Sequence, residues 1–356
     1  MRFAVTADLH LRQNEHKERF AGLKSVFNEM QRLKLTTLVI AGDLFDINEK
    51  NYSEFDKICR AEPAKNFKIY ILPGNHDWNI SKNMFASDNI TVISRPQIHQ
   101  FDMMSMHVCF IPYRSGKTMG ELIQEIPESD ELKPGNWILI SHGDWIETIN
   151  QPNPYEPGLY MPLTRGDVET YKPAAVFLGH IHKPFDSSVV YYTGSPCPLD
   201  INETGKRRFL VVDSETARSE SVEVKSPVLY FNENLLILPV EKERDYILNQ
   251  AKEIIKRWNI DKTDHDRVRI RVAVRGYTKD KSELYKIVKD VFKDYSFYAD
   301  EEPDLSKVFL SDDFEKNEIA LKVRERIKNT QIKKGETQPS REDIMLHALH
   351  IIYGDM

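Results

Sequence analysis

The chain is poor in cysteine: Cys59, Cys109 and Cys197 are the only three in 356 residues. They stand far apart, with neither disulfide nor metal-ligand spacing, and read as reduced, buried thiols of a cytosolic protein. No apolar run approaches the length of a membrane span, so no membrane partner is expected. The first residues enter the strand Arg2-Phe3-Ala4-Val5-Thr6 directly, so no signal peptide is expected and the location is expected to be cytoplasmic. Basic charge is not in excess: 49 Lys and Arg face 55 Asp and Glu, a net charge of −6. That balance argues mildly against a nucleic-acid partner, but a local basic stripe can coexist with acidic ligands. Internal repeats and low-complexity segments are absent.

What is present is one device, used five times in the first 225 or so residues. A short apolar strand ends and a polar cluster follows at once. Phe3-Ala4-Val5-Thr6-Ala7 leads to Asp8-Leu9-His10, and Leu38-Val39-Ile40-Ala41 leads to Gly42-Asp43. Lys68-Ile69-Tyr70-Ile71-Leu72 leads to Pro73-Gly74-Asn75-His76-Asp77. Trp137-Ile138-Leu139-Ile140-Ser141 leads to His142-Gly143-Asp144, and Ala175-Val176-Phe177-Leu178-Gly179 leads to His180-Ile181-His182. Continuous apolar strands imply an α/β fold with a sheet covered on both faces. In such folds the site lies beyond the carboxyl ends of the strands. Helical periodicity fits between them, most clearly from Glu15 to Lys34 and more weakly over Tyr52–Ala61 and Lys117–Ile126. The proline-rich stretch Gln151–Pro162 forbids a regular element and is expected to loop near the site.

Asp8, His10, Asp43, Asn75, His142, His180 and His182 all sit at strand exits. Converging at one sheet edge without a counter-ion, they would be costly to desolvate. A metal centre explains them. Seven N and O donors are too many for one tetrahedral zinc and suit two divalent ions that share a carboxylate, here Asp43. A donor set of imidazole, carboxylate and amide oxygen without thiolate favours Mn²⁺, with Fe, Zn or Mg as alternatives. Two such ions ~3.5–4 Å apart activate a water and stabilise both oxygens of a displacement at phosphorus. His76 is placed to protonate the leaving group or stabilise its charge.

The motifs Asp8-Leu9-His10, Gly42-Asp43, Gly74-Asn75-His76-Asp77, His142-Gly143 and Gly179-His180-Ile181-His182 resemble those of the calcineurin-like metallophosphoesterase superfamily. The resemblance implies a β-sandwich flanked by helices. It implies that Asp8, His10, Asp43 and His182 hold one metal and Asp43, Asn75, His142 and His180 the other. His76 takes the catalytic-histidine position, with Asp77 orienting it. Within the superfamily the chain looks most like the SbcD-type nucleases of DNA double-strand-break repair. Gly42-Asp43-Leu44-Phe45-Asp46 is similar to their second motif, and Tyr192-Thr193-Gly194-Ser195-Pro196 with Phe209-Leu210-Val211-Val212-Asp213 to the end of their nuclease domain. That likeness implies a Mn-dependent DNA exonuclease or endonuclease, the catalytic subunit of an SbcCD-like complex. It also implies three regions: a nuclease domain (1–225), a small α/β capping domain that contacts DNA (226–305) and a C-terminal helical tail (306–356). The tail would bind the coiled coil of an SMC-like ATPase of the SbcC type, and the nuclease domain would form a homodimer. Eukaryotic and archaeal members often carry His where this chain has Asp46, a position that bears on strand handling. A small-molecule phosphodiesterase or phosphomonoesterase on the same site is the alternative, and a non-catalytic scaffold with a relic site is a third reading.

After residue 226 the pattern reads strand–helix–strand–helix–strand. Its members are Leu235–Leu238, a helix over Tyr246–Trp258, Arg267–Arg275, a helix over Leu284–Phe292, and Ser296–Ala299. Arg267, Arg269, Arg271 and Arg275 alternate with Val268, Ile270, Val272 and Val274. Alternate residues on a strand recur every ~6.7 Å, so the arginines form a row for DNA phosphates or, equally, a solvated face balanced by nearby acids. The helix over Phe314–Gln331 presents Ile319, Val323 and Ile327. A linker at Lys333–Pro339 leads to Ser340-Arg341-Glu342-Asp343, which resembles a capping box. The last helix presents Ile344, Ala348, Leu349 and Ile352, a stripe that either docks a partner or covers this protein's own body. His16, His99, His107, His265, His347 and His350 lie away from strand exits and read as ordinary.

Overall fold

The structure, a computed structural model, describes residues 1–12, 17–46, 52–101, 106–127, 132–147, 158–330 and 341–354. His16, the proline-rich stretch up to Pro157, the Lys333–Pro339 linker and Ser340 lie outside the described residues. The chain divides into two compact units: Met1–Leu199 with Lys206–Val228, and Asp200–Gly205 with Leu229–Met356. Among the described residues no helix is long and apolar enough to cross a membrane.

The first unit begins with β1 (Arg2–Thr6), α1 (Lys17–Arg32), β2 (Thr37–Ala41), α2 (Tyr52–Cys59), β3 (Lys68–Leu72), β4 (Ile90–Val92), β5 (Gln97–His99) and β6 (His107–Ile111). It continues through α3 (Met119–Gln124), β7 (Trp137–His142), β8 (Trp145–Ile146), β9 (Leu163–Thr164), α4 (Arg165–Tyr171) and β10 (Ala175–Gly179). β11 (Phe185–Asp186), β12 (Val190–Tyr192), β13 (Arg207–Asp213) and β14 (Ser219–Val224) complete it. Two six-stranded sheets result, in the orders β14-β13-β1-β2-β3-β4 and β11-β12-β10-β7-β6-β5. Strands β1 to β4 run parallel in one sheet, and β6, β7, β10 and β12 run parallel in the other.

The strands are apolar on both sides because both faces are covered. Phe3, Val5 and Val39 meet Val108, Phe110, Ile138 and Phe177 in the layer between the sheets. Their neighbours in sequence point outward. Ala4, Leu38 and Ile40 pack on Leu23, Val26, Phe27 and Met30, the inner stripe of α1. Cys109, Leu139 and Val176 pack on Met119 and Leu122 of α3. The layers are thus helix, sheet, sheet, helix. Each buried α1 side chain contributes about 1.5–3 kcal/mol. Truncating fully buried Phe27 to Ala removes about 3–5 kcal/mol.

The second unit is built from β15 (Leu229–Ile237), α5 (Glu243–Arg257), β16 (Val268–Thr278), α6 (Lys281–Val291), β17 (Ser296–Phe297), β18 (Asp304–Leu310), α7 (Phe314–Asn329) and α8 (Arg341–Tyr353). β15 lies on one side of β16, with β17 and β18 on the other, all parallel to it. Val268, Ile270, Val272 and Val274 are buried under Ile247, Ala251 and Ile254 of α5 and Leu284, Ile287 and Val288 of α6.

Sequence pattern misjudged four details here. Ser296–Ala299 is only partly a strand, because a 3-10 turn begins at Tyr298. β18 escaped notice because most of its side chains are exposed, and a boundary at residue 305 falls inside it. α7 buries Asn317 and Ala320 and leaves Ile319 about half exposed. α8 buries Met345, Leu349 and Tyr353, while Ile344, Ala348 and Ile352 are only half-buried. The face of α8 is rotated because Tyr353 stacks on Tyr277 of β16, with ring centroids 3.8 Å apart.

Candidate metal centre

All five strand exits exist, but they leave two facing sheets and not one sheet edge. β1, β2 and β3 belong to the first sheet, β7 and β10 to the second. Local pattern shows where a strand ends but not which sheet it joins. At these exits the backbone turns sharply. Asp8, His10, Asp43 and His180 have φ of 55°, 43°, 51° and 98°. Left-handed conformations at non-glycine residues cost about 1–3 kcal/mol each and persist only where the surroundings impose them. Here the Asp8 N–H donates to Gly42 O (3.1 Å), His10 N–H to Asp43 O (3.0 Å) and Leu11 N–H to Leu44 O (2.9 Å). Two glycines are required by close approach. A Cβ on Gly42, at φ 90°, would lie 2.1 Å from His142 Nδ1, and one on Gly74 would lie 2.1 Å from Asp43 Oδ1.

Asp43 is the hub. Its Oδ1 accepts the His76 N–H (2.9 Å). Its Oδ2 lies 3.3 Å from His142 Nε2, 3.6 Å from His10 Nε2 and 4.0 Å from His76 Nε2. On one side, His10 Nε2 and His182 Nε2 converge to 3.1 Å. On the other, Asn75 Oδ1 is 2.7 Å from His142 Nε2 and 3.2 Å from His180 Nδ1. Asp8 Oδ1 accepts the His180 N–H (2.9 Å), which ties the β1 exit to the β10 exit. The structure therefore brings all seven sequence-predicted donors together.

The donors fit divalent cations. Among the described residues, Asp8 Oδ2 is buried without a hydrogen-bond partner, an arrangement that is costly unless a cation neutralises it. The groups Asp8/His10/His182, His10/Asp43/His76 and Asp8/Asp43/His142 each place their donor atoms within 4.8 Å of one another. His142 Nδ1 faces Ala41 O at 2.9 Å. Such a bond to a main-chain carbonyl leaves the other ring nitrogen for a metal. Burial lifts the Asp8 carboxyl to about 6, against the pull of His182 and His142. Burial lowers His10 to about 3 despite Asp43. Burial would also lower His142, but the Asp43 and Asp8 carboxylates and the Ala41 carbonyl push it up to about 9. Burial would lift Asp43, but His142, His10 and His76 hold it well below the usual carboxylate range.

Asp77, the residue expected to orient His76, acts on its turn, and another carboxylate reaches the ring. Asp77 accepts the N–H groups of Gly74 (2.7 Å) and Phe45 (3.2 Å), so both its oxygens shape the turn. His76 Nδ1 faces Asp46 Oδ1 at 3.2 Å. Arg12 in turn donates from Nε (2.7 Å) and Nη2 (2.6 Å) to Asp46 Oδ2. The fold of the β2 exit brings Asp46 across to the ring. Asp144, which strand-exit spacing did not single out, also reaches the site. Its Oδ1 lies 3.5 Å from His180 Nε2 and its Oδ2 accepts the Tyr160 N–H (2.7 Å). Its place two residues after His142 was the available signal. Tyr160, at the described end of the proline-rich stretch, has its ring 4.8 Å from that of His180.

In the second unit, Arg269, Arg271 and Arg275 lie on the polar face of β16, while Arg267 sits in the 3-10 turn Lys262–Arg267. Arg267 donates to Asp264 Oδ1 (2.8 Å). Arg271 donates to both oxygens of Glu301 (2.8 and 2.6 Å) and lies over the Tyr298 ring. Arg267 and Arg271 are thus balanced by carboxylates, and Arg275 lies close enough to Asp304 to help hold its carboxyl below the usual range.

A family model, "Calcineurin-like phosphoesterase", matches residues 1–184. No curated protein matches the chain. Among solved structures, the chain is similar to GAP50, the anchor in the inner membrane complex of Plasmodium. That match has 12% identity, covers 63% of this chain and 89% of that one, and has a TM-score of 0.41. It is also similar to the purple acid phosphatase PPD1 from yellow lupin (Lupinus luteus) seeds. There the identity is 13%, the coverage 65% and 52%, and the TM-score 0.41.

Proposed function

The chain belongs to the calcineurin-like phosphoesterase family, and we propose that within it this protein is a Mn²⁺-dependent DNA nuclease, the catalytic subunit of an SbcCD-like repair or processing complex. Hydrolysis of a phosphoester at a dinuclear centre is the family's chemistry. The observation that carries the finer reading is the second unit, with its parallel sheet and arginine-bearing strand β16. A small-molecule esterase has no need of such a unit, whereas a nuclease needs surface along which to hold a polymer. In this reading 226–305 caps DNA, 306–356 docks the coiled coil of an SbcC-type ATPase, and the nuclease domain pairs with a second copy.

Asp8, His10, Asp43 and His182 would hold one ion, and Asp43, Asn75, His142 and His180 the other. Bound there, such a pair supplies an activated water and charge neutralisation at phosphorus. The protein's own residues do the rest. Asp43 joins the two halves of the site through one oxygen. His76 directs Nε2 toward Asp43 Oδ2, 4.0 Å away, and hands a proton from Nε2 to the departing oxygen. Asp46, facing Nδ1, stabilises the protonated ring and is itself held by Arg12. Asp77 keeps the Gly74–Asn75–His76 turn in shape.

The test is to assay manganese-loaded protein on single- and double-stranded DNA and on a chromogenic phosphodiester. Cleavage of DNA is expected. Activity on the small ester with none on either DNA would replace this reading with the small-molecule phosphodiesterase. His76→Ala is expected to cost ~10²–10⁴-fold in kcat with metal affinity kept. Unchanged cleavage by that variant would remove His76 from the mechanism.

A further inference from the structure

We infer that Arg19 and Arg207 are positioning residues that fix His10 and His182, the histidines on one side of the metal centre, by holding their main-chain carbonyls from behind. This rests on the dinuclear-metal reading of the site.

Both arginines are buried, Arg19 at 6% and Arg207 at 1% exposure. Burial of a guanidinium is costly unless its donors are used. Arg19 Nη1 donates to His10 O (2.5 Å) and lies 3.7 Å from Asp46 Oδ2. Arg207 Nη2 donates to His182 O and to Ser195 Oγ, the latter at 2.6 Å, and its Nε donates to Ser195 O (2.8 Å). The Ser195 N–H also donates to His182 O (3.1 Å). The rigid Gly194-Ser195-Pro196 turn therefore closes on His182. Gly194 is at φ 71°, and a Cβ there would lie 2.8 Å from His182 O.

On the other side of the centre one histidine is anchored in a strand. His142 is the last residue of β7, inside the sheet ladder, and its ring is fixed by Ala41 O. His10 lies four residues beyond the end of β1 and His182 three beyond the end of β10. Neither lies in a strand, yet their Nε2 atoms meet at 3.1 Å. Hydrogen bonds from a charged donor are roughly twice as strong as neutral ones. Two of them, one from α1 and one from β13, aim the pair at a common point. The consequence is selective: loosening either arginine should weaken one metal position and spare the other.

Mn²⁺ titration of the full chain by calorimetry, with electron paramagnetic resonance to distinguish paired from single ions, reads this directly. The wild type is expected to bind two ions. Arg19→Met and Arg207→Met are expected to weaken one of them ~10–100-fold, the usual cost of losing an outer partner of a metal ligand. The paired-ion signal should give way to that of a single ion. Arg19→Lys and Arg207→Lys, which keep one charged donor, are expected to recover part of the loss. Ser195→Ala, a milder change, is expected to weaken the same position several-fold, and it decides the matter if the arginine variants do not fold. Two ions bound by the wild type with unchanged or equally reduced affinities in the variants would overturn the inference and leave the dinuclear reading standing. Fewer than two ions in the wild type would remove both.

Discussion

Replacing Asp43 with asparagine keeps the shape of the side chain and removes its charge. The amide oxygen can still accept the His76 N–H, now 2.9 Å from Oδ1, so the Gly74–Asn75–His76 turn should survive. What changes is the hub, where Oδ2 faces His142 at 3.3 Å and His10 at 3.6 Å. In the metal-free protein burial pushes His142 down, but the Asp43 carboxylate is the largest upward influence on it, and His142 stands at about 9 instead of 6.5. That difference corresponds to roughly 3 kcal/mol. Because the folded value is raised, this stability is fully present below about pH 6.5 and is lost as pH rises through about 9. The metal-free variant should therefore be less stable than wild type at pH 6, by up to about 3 kcal/mol, and the gap should close above pH 9. At roughly 2–4 °C per kcal/mol for a unit of this size, the Tm at pH 6 falls by on the order of 10 °C. The response to metal is the sharper readout. At a hundredfold excess over Kd each ion adds about 2.7 kcal/mol to wild-type stability, and the Asp43→Asn protein should gain neither increment. Without the ions, water keeps a pKa near ~15.7 instead of ~7, so cleavage should fall at least ~10⁴-fold. Thermal melts with and without Mn²⁺, paired with the DNA assay, test all of this. An Asp43→Asn protein that binds two ions with wild-type affinity would refute the claim that one carboxylate serves both positions.

Asp46→Asn is expected to remove part of the ~10²–10⁴-fold that a general acid supplies while metal affinity stays constant; a variant with wild-type kcat would show that the contact to His76 is idle. Asp77→Asn should instead lower stability by about 1–3 kcal/mol, because a side-chain amide can accept from only one of the Gly74 and Phe45 N–H groups; denaturant unfolding measures it. Metal affinity should rise with pH between about 6 and 9, because Asp8 must lose a proton held to about 6 and His142 one held to about 9 before either binds a cation. A dissociation constant that stays flat across that window would contradict the ligand assignment. If the protein is the proposed nuclease, Arg269→Ala should weaken DNA binding and lower its salt dependence by about one, and Arg275→Ala, whose guanidinium already acts on Asp304, should do less. Arg271→Ala should do less, since Glu301 already occupies that guanidinium.

The features legible in the chain alone are those that follow from local pattern. Apolar runs that end in Asp, His or Asn specify buried strands and the polar groups at their ends, because strand burial and turn chemistry act over a few residues. Gly42 and Gly74 belong with these, since a tight exit beside a ligand tolerates nothing larger. The alternation in β16 was readable for the same reason, although it could not show that Arg267 falls in a turn and that Arg271 meets Glu301. Which groups meet was settled by the packing of the layers. His10 and His182 are 172 residues apart, and His142 and Asn75 are 67 apart. Their contact depends on two sheets packing through Phe3, Val39, Phe110 and Ile140, and no spacing in the chain records that. The same holds for Asp46 at His76, and for Arg207 behind His182. A turn sets the direction of its own side chains, but the partner on the far wall is chosen by how the layers stack.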